Sequence, residues 1–226
     1  MTNDSTMPIE VRLRTPRSAA VAGILFALLI GTSYALLRLS VPADPAASDE
    51  WLDSRRHTVT FALGLIPFAG IAFLWFIGVV RDRIGANEDR FFSTVFFGSG
   101  LLFLAMTFAA ASVGGALIAS YSVNPEGTVD SGLYTFGRET MYRVANIYAL
   151  RMAAVFMISL GTIWMRTGTM PRSLVLITYA TALTLLVTVS FNLWAVLVFP
   201  SWVLLISVYI LVGNMRGRDG TPMQRS

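Results

Sequence analysis

The chain has 226 residues, 55% hydrophobic and only 13% charged, with a mean hydropathy of +0.65; soluble domains carry about 25% charged residues, so the composition excludes one and points to a polytopic membrane protein. The net charge is +4 and the pI near 9.8, yet all 17 basic residues are Arg, placed in short clusters beside apolar runs, so topology accounts for the charge and no nucleic-acid partner is expected. Cys is absent and His57 is the single histidine, which excludes disulfides, thiolate metal sites, cysteine nucleophiles, bis-histidine haem and any zinc site needing two imidazoles.

Residues 1–17 form a polar N-terminus whose Arg12, Arg14 and Arg17 lead into a first apolar run over residues 18–37. That run is longer than the roughly 7 to 15 residues of a signal-peptide core and long enough to span a bilayer, so an uncleaved helix is expected. An acidic loop from Arg38 to His57 precedes the second run, residues 58–80. Asp49, Asp53 and His57 stand at i, i+4, i+8, the spacing a helical divalent-metal site would need. The same residues suit a helix start: acids favour its positive end, Ser48 caps it, and Trp51 and Leu52 rest in the interface. This second account is the expectation, and no metal or cofactor is assigned. Within the run, Pro67 lacks an N–H and leaves the Leu63 carbonyl without its helical donor.

Residues 81–90 read as a tight hairpin, with Arg81 and Arg83 at a helix C-terminus, Gly85 as left-handed cap, Asn87 as the next N-cap, and Glu88 and Asp89 in the following first turn. The third run, residues 91–120, has no charge and as a helix measures about 45 Å against a hydrocarbon core of about 30 Å, so it must tilt, bend or extend past the interface, with Gly98 and Gly100 the expected bend points. Its second half carries rows of small residues, Ala111, Gly115, Ala119 and Ser112, Ala116, Ser120, a face expected to pack on a neighbouring helix. The loop that follows, with a turn at Asn124, Pro125, Glu126 and Gly127, has too few apolar residues for a core of its own and is expected as a solvent loop or a lid.

The fourth run, residues 142–165, carries Arg151 inside it, and hydrocarbon penalises an Arg by about 2.5 to 3.5 kcal/mol on insertion scales, so a functional role is the default hypothesis. Gly168 is expected to stop this helix and Pro171 to start the next. Residues 173–213 hold no charge and would be about 60 Å as one helix, so they divide into two spans, 173–191 and 194–213. Pro200 in the last frees the Val196 carbonyl, and residues 214–226 form a polar tail. The fold class is therefore all-α: a transmembrane bundle of six spans over residues 18–213.

With six spans both termini share one side. That side holds Arg12, Arg14, Arg17, Arg81, Arg83, Arg90, Arg166, Arg172, Arg216, Arg218 and Arg225, against Arg38, Arg55, Arg56, Arg138 and Arg143 opposite, so the positive-inside rule places both termini in the cytoplasm. Arg151 then lies about 10 to 13 Å below the outer end of its helix. Asn146, Asn192, Leu63 with Pro67, and Pro200 fall in the same outer half. Broken backbone at membrane depth persists where protein or water satisfies it, so these six residues form a candidate outward-facing cavity for an anionic lipid or an organic anion. The alternative is that the Arg151 side chain, pointing toward its helix N-terminus, snorkels to the interface.

No Asp or Glu lies within the apolar runs, which disfavours ion-coupled transport. The segments VRDRIGANEDRFFSTVFFGSGLLFLAM, YALRMAAVFMIS and LVFPSWVLLISVYIL resemble integral membrane proteins of high-GC Gram-positive (actinobacterial) bacteria, a six-helix family with no assigned activity. The resemblance implies a bacterial plasma-membrane location and carries no site. A non-enzymatic protein binding membrane lipids, or assembling as a homo-oligomer or with a membrane partner, is the first expectation. A carrier or lipid-handling protein using the outer cavity is the second. An enzyme with an extracellular loop site among Asp49, Asp53, His57, Glu126, Asp130 and Glu139 is the third.

Overall fold

The computed structural model describes residues 16–42, 50–84, 90–188 and 193–219; the expected caps Ser48, Gly85 and Asn87, the acids Asp49, Glu88 and Asp89, and the candidate Asn192 lie outside them. Among the described residues every regular element is helical: α1 (Pro16–Ser40), α2 (Glu50–Ser54), α3 (Arg56–Ile84), α4 (Arg90–Val123), α5 (Pro125–Asp130), α6 (Leu133–Arg143), a π turn (Val144–Ala149), α7 (Leu150–Thr167), α8 (Arg172–Thr188), a 3₁₀ turn (Leu193–Leu197) and α9 (Val198–Asp219). Five stretches are long and apolar enough to cross a membrane: 18–40, 56–81, 91–123, 133–167 and 194–212. The apolar α8, 17 residues long, would extend about 25 Å.

The helix faces follow from spacing. On α3, Val59, Ala62, Ile66, Ala69, Phe73, Phe76 and Val80 are buried, alternating three and four residues apart, the seam by which one helix packs against others. Phe61, Phe68, Ile71 and Trp75 on the same helix are exposed. A helix apolar all round suits a large protein core or a membrane span, and the exposed apolar side of α3 is the one a surrounding membrane would cover. α1 packs between α3 and α9, and α7 between α4 and α8, giving two three-helix layers joined where α3 meets α4.

Between the layers each of five helices contributes at least one fully or nearly buried phenylalanine, among them Phe26, Phe73, Phe103, Phe156 and Phe199. Phe73 lies 4.6 Å from Phe26, 5.5 Å from Phe103, 5.4 Å from Phe156 and 5.8 Å from Phe199, centroid to centroid, the range in which tilted and edge-on rings attract. The layers approach closely at Gly100, where a Cβ would come 2.7 Å from Ile77 Cδ1 and 3.1 Å from Phe156. Gly100 is thus a packing position, and α4 continues as helix through both Gly98 and Gly100 where bends were expected.

The 34 residues of α4 make about 51 Å, and its C-terminal part packs beside α6. At that end, called the cap, Trp51, Leu52, Val59, Leu117, Ile118, Tyr121 and Tyr134 form a second core. The expected solvent loop after residue 120 is therefore corrected to two packed helices. Their core comes mainly from the ends of α3 and α4 and from α2, which is why the loop's own composition hid it. Trp51 and Leu52, expected in the interface, lie inside this core, 5% and 0% exposed.

Local chemistry sets the ends. Asn124 caps α5 by accepting the Gly127 N–H at 3.0 Å, with Pro125 in the first turn. Gly168, at φ +63°, ends α7 in the left-handed conformation, and the Pro171 carbonyl accepts from Leu174 as α8 begins; both are as the sequence implies. The small-residue rows of α4 are a correction: Ser112, Gly115, Ala116 and Ala119 are exposed in the single chain, and the packed face is Thr107, Ala110, Gly114, Leu117, Ile118 and Tyr121. Larger residues on that face fill the groove against α6 and α7. α8 is described as far as Thr188, the expected limit at residue 191 lying outside the described residues, and α9 runs through Asp219, past the expected limit at residue 213.

Candidate functional site

At the cap, polar side chains remote in sequence bond to one another. α6, the π turn and α7 form one uninterrupted helical stretch, so the fourth span begins nine residues before the expected residue 142. A π turn holds one more residue than an α turn, a feature frequent at functional sites. Here it carries Asn146, 5% exposed. The Asn146 Nδ2 donates to the Tyr142 carbonyl at 2.8 Å, and its Oδ1 accepts from Nη2 of Arg38, 108 residues earlier in sequence. The half-buried Arg38 guanidinium also lies 5.9 Å from the Tyr142 ring centroid, close enough for a cation–π attraction. Among the described residues no carboxylate forms an ion pair with it.

Further bonds fix the cap around this point. Arg138, 7% exposed, donates to the Pro42 carbonyl, tying α6 to the end of α1. The Trp51 Nε1 donates to the Tyr134 hydroxyl at 2.9 Å, the Tyr121 hydroxyl donates to Asp53 at 3.2 Å, and Arg56 donates to Ser122 at 3.2 Å. Glu139 pairs with Arg143 at 3.5 Å on the surface, a contact worth about 0.3–0.5 kcal/mol. Between α1 and α2 opens a cleft of about 360 Å³ lined by Arg38, Leu39, Ser40, Val41, Pro42, Glu50, Trp51, Ser54 and Arg55.

The candidate residues read from sequence sit as follows. Asn146 is in the polar cluster, bonded to Arg38. Arg151 is half-buried in the first turn of α7 and, among the described residues, has no hydrogen-bond or ion-pair partner. Leu63 is half-buried and packs against both cores. Pro67 lies on the exposed apolar side of α3, which continues as helix through it. One residue before Leu63, the Ala62 carbonyl accepts from Ser33 Oγ at 2.7 Å. Pro200 is buried beside Phe199, in the first turn of α9, where a missing N–H costs least. None of these residues lines the cleft. Of the loop groups, Asp53 is bonded to Tyr121, and His57 is exposed on α3 beyond a bend at Arg55; among the described residues no three His, Cys, Asp or Glu side chains form a metal site.

Arg38, Tyr142 and Arg138 are the cluster members that spacing did not reveal. Arg38 reads as an ordinary flanking charge one residue past an apolar run, and its partner is remote in sequence. The one local signal was the four-residue step from Tyr142 to Asn146, which places both on one helical face.

The architecture defines an all-helical chain with several membrane-length apolar helices and a polar, structured cap. Comparison with protein-family models, curated proteins and solved structures gives no match.

Proposed function

We propose that the protein is a multi-pass protein of a bacterial plasma membrane, with six spans and both termini in the cytoplasm, that works by binding lipids or partner molecules at its outer face and catalyses no reaction. In this reading α8 also crosses, as the fifth span in chain order. The cap, which holds Arg38, Arg55, Arg56, Arg138 and Arg143, is the extracellular end, in line with the smaller share of Arg on that side. The bacterial location rests on the resemblance described above.

The observation that carries the binding reading is the organisation of the cap. The bonds Trp51–Tyr134, Tyr121–Asp53 and Arg138–Pro42 tie α2, α4, α6 and the end of α1 together, and beside them opens a cleft lined in part by Trp51 and Pro42, with the half-buried Arg38 in its wall. Such a shape suits recognition at the headgroup depth of the outer leaflet. Native mass spectrometry of the protein purified from its own membranes tests this: a stoichiometric lipid or a co-purifying partner is expected, and a bare chain under conditions that preserve the fold contradicts it.

A second reading, a carrier with an outward-facing cavity around Arg151, is favoured by that residue's half-buried position and its lack of a partner among the described residues. Arg151→Leu separates the two. Unchanged stability and lipid retention in the variant leave Arg151 as a snorkelling side chain and remove the carrier reading.

A further inference from the structure

We propose that the cleft between α1 and α2 is a binding site for a phosphate group, with Arg38 as the anchoring residue; this rests on the reading of the cap as an outer, lipid-facing binding end. Three observations converge on it. Arg38 is half-buried without an ion-pair partner among the described residues, and its bond to Asn146 engages one nitrogen of a guanidinium that carries five N–H donors. A desolvated cation of this kind is costly unless an anion completes it, and the guanidinium fork fits the paired oxygens of a phosphate. On the facing wall Arg55 is exposed and bonded to no described side chain, while Glu50 supplies a single carboxylate. Among the described lining residues two guanidiniums stand against one carboxylate, an excess of one positive charge that a phosphodiester monoanion neutralises.

Volume and placement agree. About 360 Å³ lies in the range of small-ligand sites, enough for a glycerophosphate headgroup. Arg38 stands where α1 leaves its apolar run, at the depth of lipid phosphates. Its neighbour Leu39 lines the same cleft and is 65% exposed, so the cleft wall continues into the lipid-facing surface where acyl chains lie. The phosphate could come from an outer-leaflet phospholipid or from a soluble phosphate ester, and the Leu39 surface favours the former.

The test uses the full chain in detergent, loaded with phosphatidylglycerol or with an uncharged glycolipid of equal chain length, bound lipid being counted by native mass spectrometry. Preferential retention of one phosphatidylglycerol is expected. Arg38→Gln, which keeps a donor for Asn146 and removes the charge, should lower that retention about 10- to 100-fold, the scale of one charge-assisted hydrogen bond. Arg55→Gln, at an exposed position that folding does not use, should lower it about threefold. Displacement by sn-glycerol 3-phosphate assigns the site to a soluble phosphate ester, and resistance to it assigns the site to the lipid; both support phosphate recognition. Equal retention of the glycolipid overturns the proposal. So does unchanged retention in Arg55→Gln together with either a folded, fully binding Arg38→Gln or, if that variant does not fold, retention that is insensitive to salt. A lipid that stays bound regardless of Arg38 and Arg55 would leave the broader binding reading standing and remove only this site.

Discussion

Replacing Phe73 with Ala should destabilise the bundle more than any equivalent change on its outer face. Phe73 is 0% exposed and its ring meets those of Phe26, Phe103, Phe156 and Phe199 at 4.6 to 5.8 Å between centroids. Lipid tails are as apolar as a phenyl ring, so transfer out of water contributes little to helix association in a bilayer; the loss is of packing and of ring–ring contacts. Phe→Ala in a packed core costs about 3–5 kcal/mol, including a transfer part that lipid removes, which places the expectation near the lower end, about 3 kcal/mol. Each aromatic pair is worth about 0.5–1.5 kcal/mol, so the four pairs alone reach that scale. Phe68, on the same helix and 63% exposed, is the matched control, and its replacement by Ala should change stability by less than about 0.5 kcal/mol. Unfolding both variants by SDS titration from mixed micelles measures the difference directly. If Phe68→Ala costs as much as Phe73→Ala, the division of α3 into a packed seam and a lipid face is wrong.

Two further outcomes follow from the packing. Tyr134→Phe leaves the Trp51 Nε1, in a residue only 5% exposed, without its acceptor and should destabilise by about 1–3 kcal/mol; intrinsic tryptophan fluorescence across a thermal melt would register a lower transition, and an unchanged transition would contradict the second core. Gly100→Leu places a side chain where Ile77 and Phe156 already stand and should cost about 1–3 kcal/mol or more through overpacking; Gly98→Leu, with nothing within 4 Å of its Cβ position, should be nearly neutral in the same melt.

The membrane-length helices and the hairpin at Gly168 and Pro171 were legible in the sequence because each depends on local composition or on a single backbone preference. The cap was not. Its core is assembled from Trp51, Leu117, Tyr121 and Tyr134, four residues on three separate elements, each unremarkable in its own window. The polar cluster was hidden for the same reason. Arg151 attracted notice because it interrupts an apolar run, whereas Arg38 sits at the end of one, where a cation is ordinary. Only tertiary packing brings Arg38 to Asn146. The prolines mislead in a related way: the sequence shows that a donor is missing, but not that Pro67 faces outward while Pro200 falls in a first helical turn.

The claim on which the rest depends is that six spans place the cap outside and both termini inside. The chain contains no Cys, so single cysteines introduced at Ser131 in the cap, at Thr169 in the α7–α8 turn and at Met223 in the tail can be labelled in intact cells with a membrane-impermeant maleimide. Labelling at position 131 alone, with positions 169 and 223 reacting only after permeabilisation, is the expected result. Labelling at 223 in intact cells would show that α8 does not cross, and protection at 131 would turn the cap, and the phosphate site with it, to the wrong side of the membrane.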